Sequence, residues 1–247
     1  MIKAFCTYCF MDSGTLLGEN IWRSGGHAVN AERVNYFEDS LGYLCRPVEK
    51  GPFPEIVVIH WWWGLNSNIH AISGRLASHG YTCLAVDLFN GHIAAGTERA
   101  KELSGSLDPV WAIENMQSAV AFLRIEHNAQ KIASIGWCFG GGQSMKLALS
   151  GEKLDATIIY YGNAQTNHSG LSAIKWPVLG IFGQDDAISV QKVREFERQL
   201  IGLKIPNEII IYPKAGHAFA DPSNPAFAPT QARDAWEKTL EFLRGKL

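Results

Sequence analysis

The chain has 247 residues, which is enough for one large domain or two small ones. Hydrophobic residues make up 47% and charged residues 19%, a composition typical of a globular core rather than of a disordered chain. The net charge is −2 and no run of five basic residues occurs, which argues against a dedicated nucleic-acid or anionic-membrane partner.

From about residue 40 onward, short apolar runs rich in β-branched residues predict strands. Continuous apolar strands of this kind are typical of a sheet that is covered on both faces. The seven predicted strands lie at residues 41–47, 55–61, 81–88, 131–137, 156–162, 177–183 and 207–213.

Helical patterns lie between most of these strands. Asp108 is the predicted N-cap of the longest helix, with Pro109 at its first position. The alternation predicts βαβ units, and we expect one α/β domain over residues 1–247, a mostly parallel sheet with helices on both faces, and an irregular lead-in over residues 1–40. The predicted helices lie at residues 67–79, 106–125, 140–150, 190–202 and 230–245.

One cysteine lies in a cluster of glycines, in the segment "GWCFGG" at residues 136–141. It follows a predicted strand and precedes a predicted helix, the context of a G-x-nucleophile-x-G elbow with cysteine in place of serine. Glycine is needed on both sides because side chains there would collide with the neighbouring strand and helix. The turn would lift the Cys138 sulfur clear of the sheet to a helix N-terminus, and the Phe139 N–H would point at a developing oxyanion.

An elbow of this kind needs an acid and a base later in the chain, in the order nucleophile, acid, base. Asp185 and Asp186 follow the strand at 177–183, and His217 follows the strand at 207–213. Open α/β sheets form their sites at this edge, so the order is the required one. His217 would accept the thiol proton, Asp185 would orient the imidazole, and the thiolate would attack an ester or lactone carbonyl to form a thioester.

Taken together, these segments resemble the dienelactone hydrolase family of α/β-hydrolases. The resemblance covers residues from about 40 to the C-terminus and rests on "LGYLCRP", "GPFPEIVVIHWWWGLN", "GYTCLAVDLF", "GWCFGG", "GQDDAIS" and "GHAF". It implies an α/β-hydrolase fold, a carboxylesterase or lactonase activity, and neither metal nor organic cofactor. It favours Asp185 over Asp186 as the acid. It also implies a second oxyanion donor in the Trp62 backbone N–H, and a substrate pocket lined by Trp61, Trp63 and Phe89.

Two positions depart from the pattern of that family. Trp61 stands where a glutamate is usual, so either Cys138 pairs with His217 directly or the indole narrows the pocket. Gly91 and Asp221 stand at about the positions where members that act on carboxylated dienelactones have arginines. The resemblance therefore predicts the reaction type, and a neutral or apolar ester or lactone is as good a candidate substrate as a dienelactone.

A second reading is a ligand-binding or regulatory protein on a hydrolase scaffold, with Trp61 filling the former site. We expect a monomer or weak homodimer acting on a small molecule, without nucleic acid or membrane. Five scattered cysteines form a poor disulfide framework, and the first 19 residues do not read as a signal peptide, so we expect a cytoplasmic location. The C-x-x-C at residues 6–9 is given no role, and His60 is expected to be structural.

Overall fold

The computed structural model describes residues 24–163 and 168–247. Its strands form one eight-stranded sheet in the order β1-β2-β4-β3-β5-β6-β7-β8. β1 and β2 form an antiparallel pair, β2 runs antiparallel to β4, and all other neighbours are parallel. The strand bounds are β1 Val29–Phe37, β2 Ser40–Pro47, β3 Glu55–Ile59, β4 Thr82–Val86, β5 Ile132–Trp137, β6 Ala156–Tyr160, β7 Val178–Gly183 and β8 Asn207–Tyr212.

Helices cover both faces of this sheet. Their bounds are α1 Ser67–Ser78, α2 Thr97–Gly105, α3 Pro109–Glu126, α4 Phe139–Leu149, α5 His168–Leu171, α6 Val190–Gly202 and α7 Pro229–Lys246. The Asp108 side chain caps α3 by accepting hydrogen bonds from the N–H groups of Val110 and Trp111, at 2.8 and 3.0 Å. The predicted N-cap and the proline at the first helical position are therefore confirmed.

Two hydrophobic cores lie on opposite sides of the sheet because successive strand residues point to opposite faces. In β3, Ile56 and Val58 join the core beneath α1 and α7, while Val57 and Ile59 join the core beneath α2, α3, α4 and α6. All five residues of β3 are buried. Burial on both faces explains why the central strands are continuous apolar runs in the sequence.

The seven predicted strands and five predicted helices are present, with shifts of a few residues at their ends. The prediction that residues 1–40 form an irregular lead-in is wrong for the later part of this segment, because Val29–Phe37 forms β1 at the edge of the sheet. This strand is largely exposed and carries polar residues on both faces, so it has no apolar run that would mark it. The segment 1–23, with the C-x-x-C, lies outside the described residues.

Within residues 24–163 and 168–247, none of the helices is long and apolar enough to span a bilayer.

Candidate active site

Cys138 stands at the junction between β5 and α4, at the carboxyl edge of the sheet. Its backbone has φ 56° and ψ −116°, a left-handed conformation that a non-glycine residue adopts only where its surroundings enforce it. A Cβ on Gly136 would overlap the carbonyl of Gly140, and a Cβ on Gly140 would overlap the carbonyl oxygens of Ile59 and His60. The two glycines therefore permit the tight bend that the sequence predicts.

The bend brings the sulfur into contact with an imidazole. His217 Nε2 lies 3.0 Å from Cys138 Sγ, and His217 Nδ1 lies 2.9 Å from Asp186 Oδ2. Three loops that follow β5, β7 and β8 supply these residues. The arrangement has the nucleophile–base–acid geometry of a catalytic triad.

The acid in this arrangement is Asp186, so the assignment of Asp185 is wrong. The Asp186 side chain is fully buried, and its Oδ1 accepts a hydrogen bond of 3.0 Å from the N–H of Ile188. This short turn directs the other oxygen to the imidazole. Asp185 is exposed, and its backbone N–H donates to the Ala215 carbonyl at 2.9 Å. That hydrogen bond holds the chain so that the second aspartate faces inward.

The electrostatics of the site favour a charged imidazole. The hydrogen bond to Asp186, followed by that to Cys138, raises the pKa of His217 from its ordinary 6.5 to about 10, against the opposing effect of burial. A histidine with this pKa readily holds the proton that a thiol gives up. The pair can therefore exist as a thiolate and an imidazolium.

His60 is buried and structural, as expected. Its Nε2 accepts a hydrogen bond from the N–H of Leu88 at 3.1 Å, so the proton lies on Nδ1, which donates to the Trp61 carbonyl at 2.6 Å. Burial lowers the pKa of His60, so the ring is neutral. These hydrogen bonds connect the loop that begins with Trp61 to the segment just after β4. The Trp61 carbonyl also accepts a hydrogen bond from the N–H of Gly64 at 3.1 Å.

A cleft of about 180 Å³ opens above the sulfur, smaller than the roughly 300–1,000 Å³ typical of sites for drug-sized ligands. Trp61 is only 2% exposed and packs into the core as a wall of the cleft. The direct contact between Cys138 and His217 matches the first of the two outcomes expected for tryptophan at position 61. The cleft is lined by Trp61, Trp62, Trp63, Cys138, Tyr161, His217, Ala218, Asp221 and Asn224.

Phe89 does not line this cleft, so its assignment to the pocket is wrong. Its ring packs behind the elbow, 4.7 Å from the ring of His60 and 5.4 Å from that of Phe139. The loop after β4 turns away because Asp87 accepts hydrogen bonds from the N–H groups of Phe89 and Gly91, at 2.9 and 2.5 Å. The aromatic ring therefore supports the elbow from below.

Tyr161 and Asn224 line the site but were not predicted, and Asp221 was singled out only because it stands where some family members have an arginine. Tyr161 directly follows β6, and its ring lies 5.3 Å from the ring of His217. Because Tyr161 directly follows the parallel strand β6, which lies between β5 and β7, its position could have predicted a place in the site. Sites in such sheets form at the carboxyl ends of the strands. Within the described ranges, no group of three His, Cys, Asp or Glu residues could hold a metal ion.

The sheet order, the elbow and the three facing side chains define an α/β-hydrolase fold. The sequence model of the dienelactone hydrolase family matches residues 41–247, and the chain belongs to that family. The crystal structure of a dienelactone hydrolase-like promiscuous phosphotriesterase from metagenomic libraries superposes with a TM-score of 0.78 at 23% identity, covering 89% of this chain and 99% of that one.

Curated relatives match over most of their length. The protein named "Putative carboxymethylenebutenolidase" of Saccharolobus solfataricus is 29% identical, covering 84% of this chain and 96% of that protein. Protein usf of Aquifex pyrophilus is also 29% identical, covering 83% of this chain and 92% of that protein. The chain is therefore a hydrolase-family protein that spans nearly the whole of these relatives.

Proposed function

We propose that this protein hydrolyses carboxylic esters or lactones with Cys138 as its nucleophile. The observation that carries the proposal is the 3.0 Å contact between Cys138 Sγ and His217 Nε2, with Asp186 on the far side of the ring. A structural thiol has no need of a strained backbone, a charged imidazole and an open cleft. An acyl-transfer nucleophile needs a base within hydrogen-bond reach and a cleft that admits the substrate, and Cys138 has both.

In the first half-reaction, His217 Nε2 takes the proton of the thiol and the thiolate attacks the carbonyl carbon. The tetrahedral oxyanion is stabilised by backbone N–H groups, for which Phe139 and Trp62 are the candidates. Phe139 is the first residue of α4, so its N–H has no partner within that helix. The imidazolium then protonates the leaving alkoxide, and the acyl group stays on sulfur as a thioester.

In the second half-reaction, a water molecule attacks the thioester while His217 accepts its proton. The carbon–sulfur bond breaks, the proton returns to the sulfur, and a carboxylic acid leaves. Asp186 keeps the Nδ1 hydrogen in place and stabilises the imidazolium in both halves. For a lactone, the alcohol and acid products are two ends of one opened ring.

The alternative, a binding protein whose site is filled by tryptophan, has weaker support. Trp61 packs sideways into the core and leaves Cys138 and His217 facing the same open cleft. A filled site would have buried the sulfur away from any ligand.

Hydrolysis of p-nitrophenyl acetate by Cys138→Ala and by the parent tests the proposal. Cys45 is buried at 1% exposure on a strand outside the cleft, so Cys45→Ala serves as the matched control. We expect Cys138→Ala to lose turnover and Cys45→Ala to retain it. Equal rates for Cys138→Ala and the parent would refute the proposal.

A further inference from the structure

Asp221 is a buried carboxylate that faces the cleft. The residue is 2% exposed, and its Oδ1 accepts hydrogen bonds from the N–H and the hydroxyl of Ser223, at 2.9 and 2.7 Å. Its other oxygen takes part in neither bond. Among the side chains described in residues 24–163 and 170–247, none forms an ion pair with Asp221, so no described cation balances this carboxylate.

The charge of the cleft is negative whichever group holds the triad proton. Cys138 and His217 together are neutral, as thiol and imidazole or as thiolate and imidazolium. Asp186 and an ionised Asp221 then leave two negative charges, and no lysine or arginine lines the cleft. Burial raises the pKa of Asp221, so a cation beside it would relieve the cost of ionising it. A low-dielectric cleft of one sign favours ligands of the opposite sign.

The remaining walls are aromatic. Trp61, Trp62 and Trp63 form one side, with the last two rings 5.0 Å apart, and Tyr161 forms part of the floor beside the sulfur. The faces of tryptophan and tyrosine attract cations through the ring quadrupole, and quaternary ammonium groups are bound in cages of this composition. Asp221 stands four residues after His217, on the wall that carries the base.

We propose that the cleft selects esters that carry an ammonium group, with the cation held between Asp221 and the tryptophan faces while the ester carbonyl lies at Cys138. This substrate class rests on the proposed ester hydrolysis and goes beyond it. The small volume of the cleft, about 180 Å³, suits a compact substituent such as trimethylammonium.

The test compares two esters of nearly equal shape, acetylcholine and 3,3-dimethylbutyl acetate, in which a carbon replaces the charged nitrogen. Acid release is followed in a pH-stat. We expect kcat/KM to be at least about tenfold higher for acetylcholine, as a desolvated cation–π contact with a carboxylate nearby implies. Asp221→Asn keeps the oxygen that Ser223 contacts, and it should lose most of that preference.

The matched control is Asp39→Asn, which removes one exposed carboxylate from the β1–β2 turn and should keep the preference. If 3,3-dimethylbutyl acetate is cleaved as fast as acetylcholine, or faster, the cation proposal is overturned and ester hydrolysis stands. If neither ester is cleaved, the proposed hydrolysis of such esters is contradicted and the binding measurement decides the cation proposal.

That measurement is the protection of Cys138 from alkylation by iodoacetamide. Choline should slow the alkylation, whereas 3,3-dimethylbutan-1-ol and sodium chloride of matched ionic strength should not. Loss of the choline effect in Asp221→Asn would support the assignment without any turnover. Equal protection by choline and the neutral alcohol, or none by choline, would overturn it.

Discussion

The Nδ1 atom of His217 lies 2.9 Å from Oδ2 of Asp186, while the adjacent Asp185 is exposed to solvent. Two consecutive aspartates therefore have different surroundings, one fully buried against the imidazole and the other on the surface. The Ile188 N–H, bonded to the second oxygen of Asp186, fixes this difference. Substituting Asp185 and Asp186 one at a time therefore compares an exposed carboxylate with a buried one at adjacent positions.

We expect Asp186→Asn to lower kcat by about 10²- to 10⁴-fold, because the amide cannot stabilise an imidazolium or hold the required tautomer. Asp185→Asn should retain the parent rate. Hydrolysis of p-nitrophenyl acetate measures both. A larger loss for Asp185→Asn than for Asp186→Asn would show that the wrong carboxylate has been assigned.

The raised pKa of His217 is open to direct titration. Nuclear magnetic resonance of the imidazole should show the ring protonated through neutral pH and losing its proton near pH 10. In Asp186→Asn the pKa should fall, because the largest of its causes is removed. An imidazole that titrates near 6.5 in the parent protein would contradict the ion-pair description.

The sequence predicted the elbow and the base because each depends on local chemistry. Glycines flank Cys138 for steric reasons that any strand–helix bend of this kind imposes. His217 follows a strand at the edge where α/β sheets build their sites. The choice between Asp185 and Asp186 depends on the hydrogen bonds of one turn, which the pattern of residues does not encode.

The elements that the sequence missed are weakly patterned. β1 is an exposed edge strand, and α2 is a short helix in which only Ala100 and Leu103 are buried. Neither has an apolar face wide enough to mark its period. The placement of Phe89 outside the cleft depends on Asp87, whose carboxylate draws the following backbone into a turn. The Phe89 ring then packs against His60 and Phe139, which lie far away in the sequence, and this packing depends on tertiary structure.

Glu55 makes the stability of the fold depend on pH. Burial at the start of β3 raises the pKa of Glu55 from 4.5 to about 8, and its Oε2 has no hydrogen-bond partner among the described residues. Because the pKa of Glu55 is higher in the folded state, its protonation stabilises the fold. This contribution to the free energy of unfolding is fully present below pH 4.5 and is lost as the pH rises through about 8.

We therefore expect the parent to lose about 2–4 kcal/mol of unfolding free energy between pH 5 and 9 from this group alone. Glu55→Gln should remove that loss in urea unfolding at the two pH values. Exposed Glu237→Gln should behave as the parent. Parallel pH profiles for the parent and Glu55→Gln would rule out this origin.

The glycines of α4 differ sharply in the space around them. A Cβ at Gly140 would overlap the carbonyls that end β3, whereas a Cβ at Gly142 meets nothing nearer than 3.8 Å. We expect Gly140→Ala to destabilise the protein by about 3 kcal/mol or more, and Gly142→Ala to stabilise it by up to about 1 kcal/mol. Thermal unfolding measures both, and similar melting temperatures for the two variants would contradict the described elbow.

The central claim is that the acyl group of a substrate becomes bonded to sulfur. Rapid acid quench after mixing with excess p-nitrophenyl acetate, followed by peptide mass spectrometry, tests it most directly. We predict an acetyl adduct of about 42 Da on the peptide that contains Cys138, formed in the parent and absent in Cys138→Ala. Release of p-nitrophenol with the adduct on another residue, or with none at any time, would contradict the account.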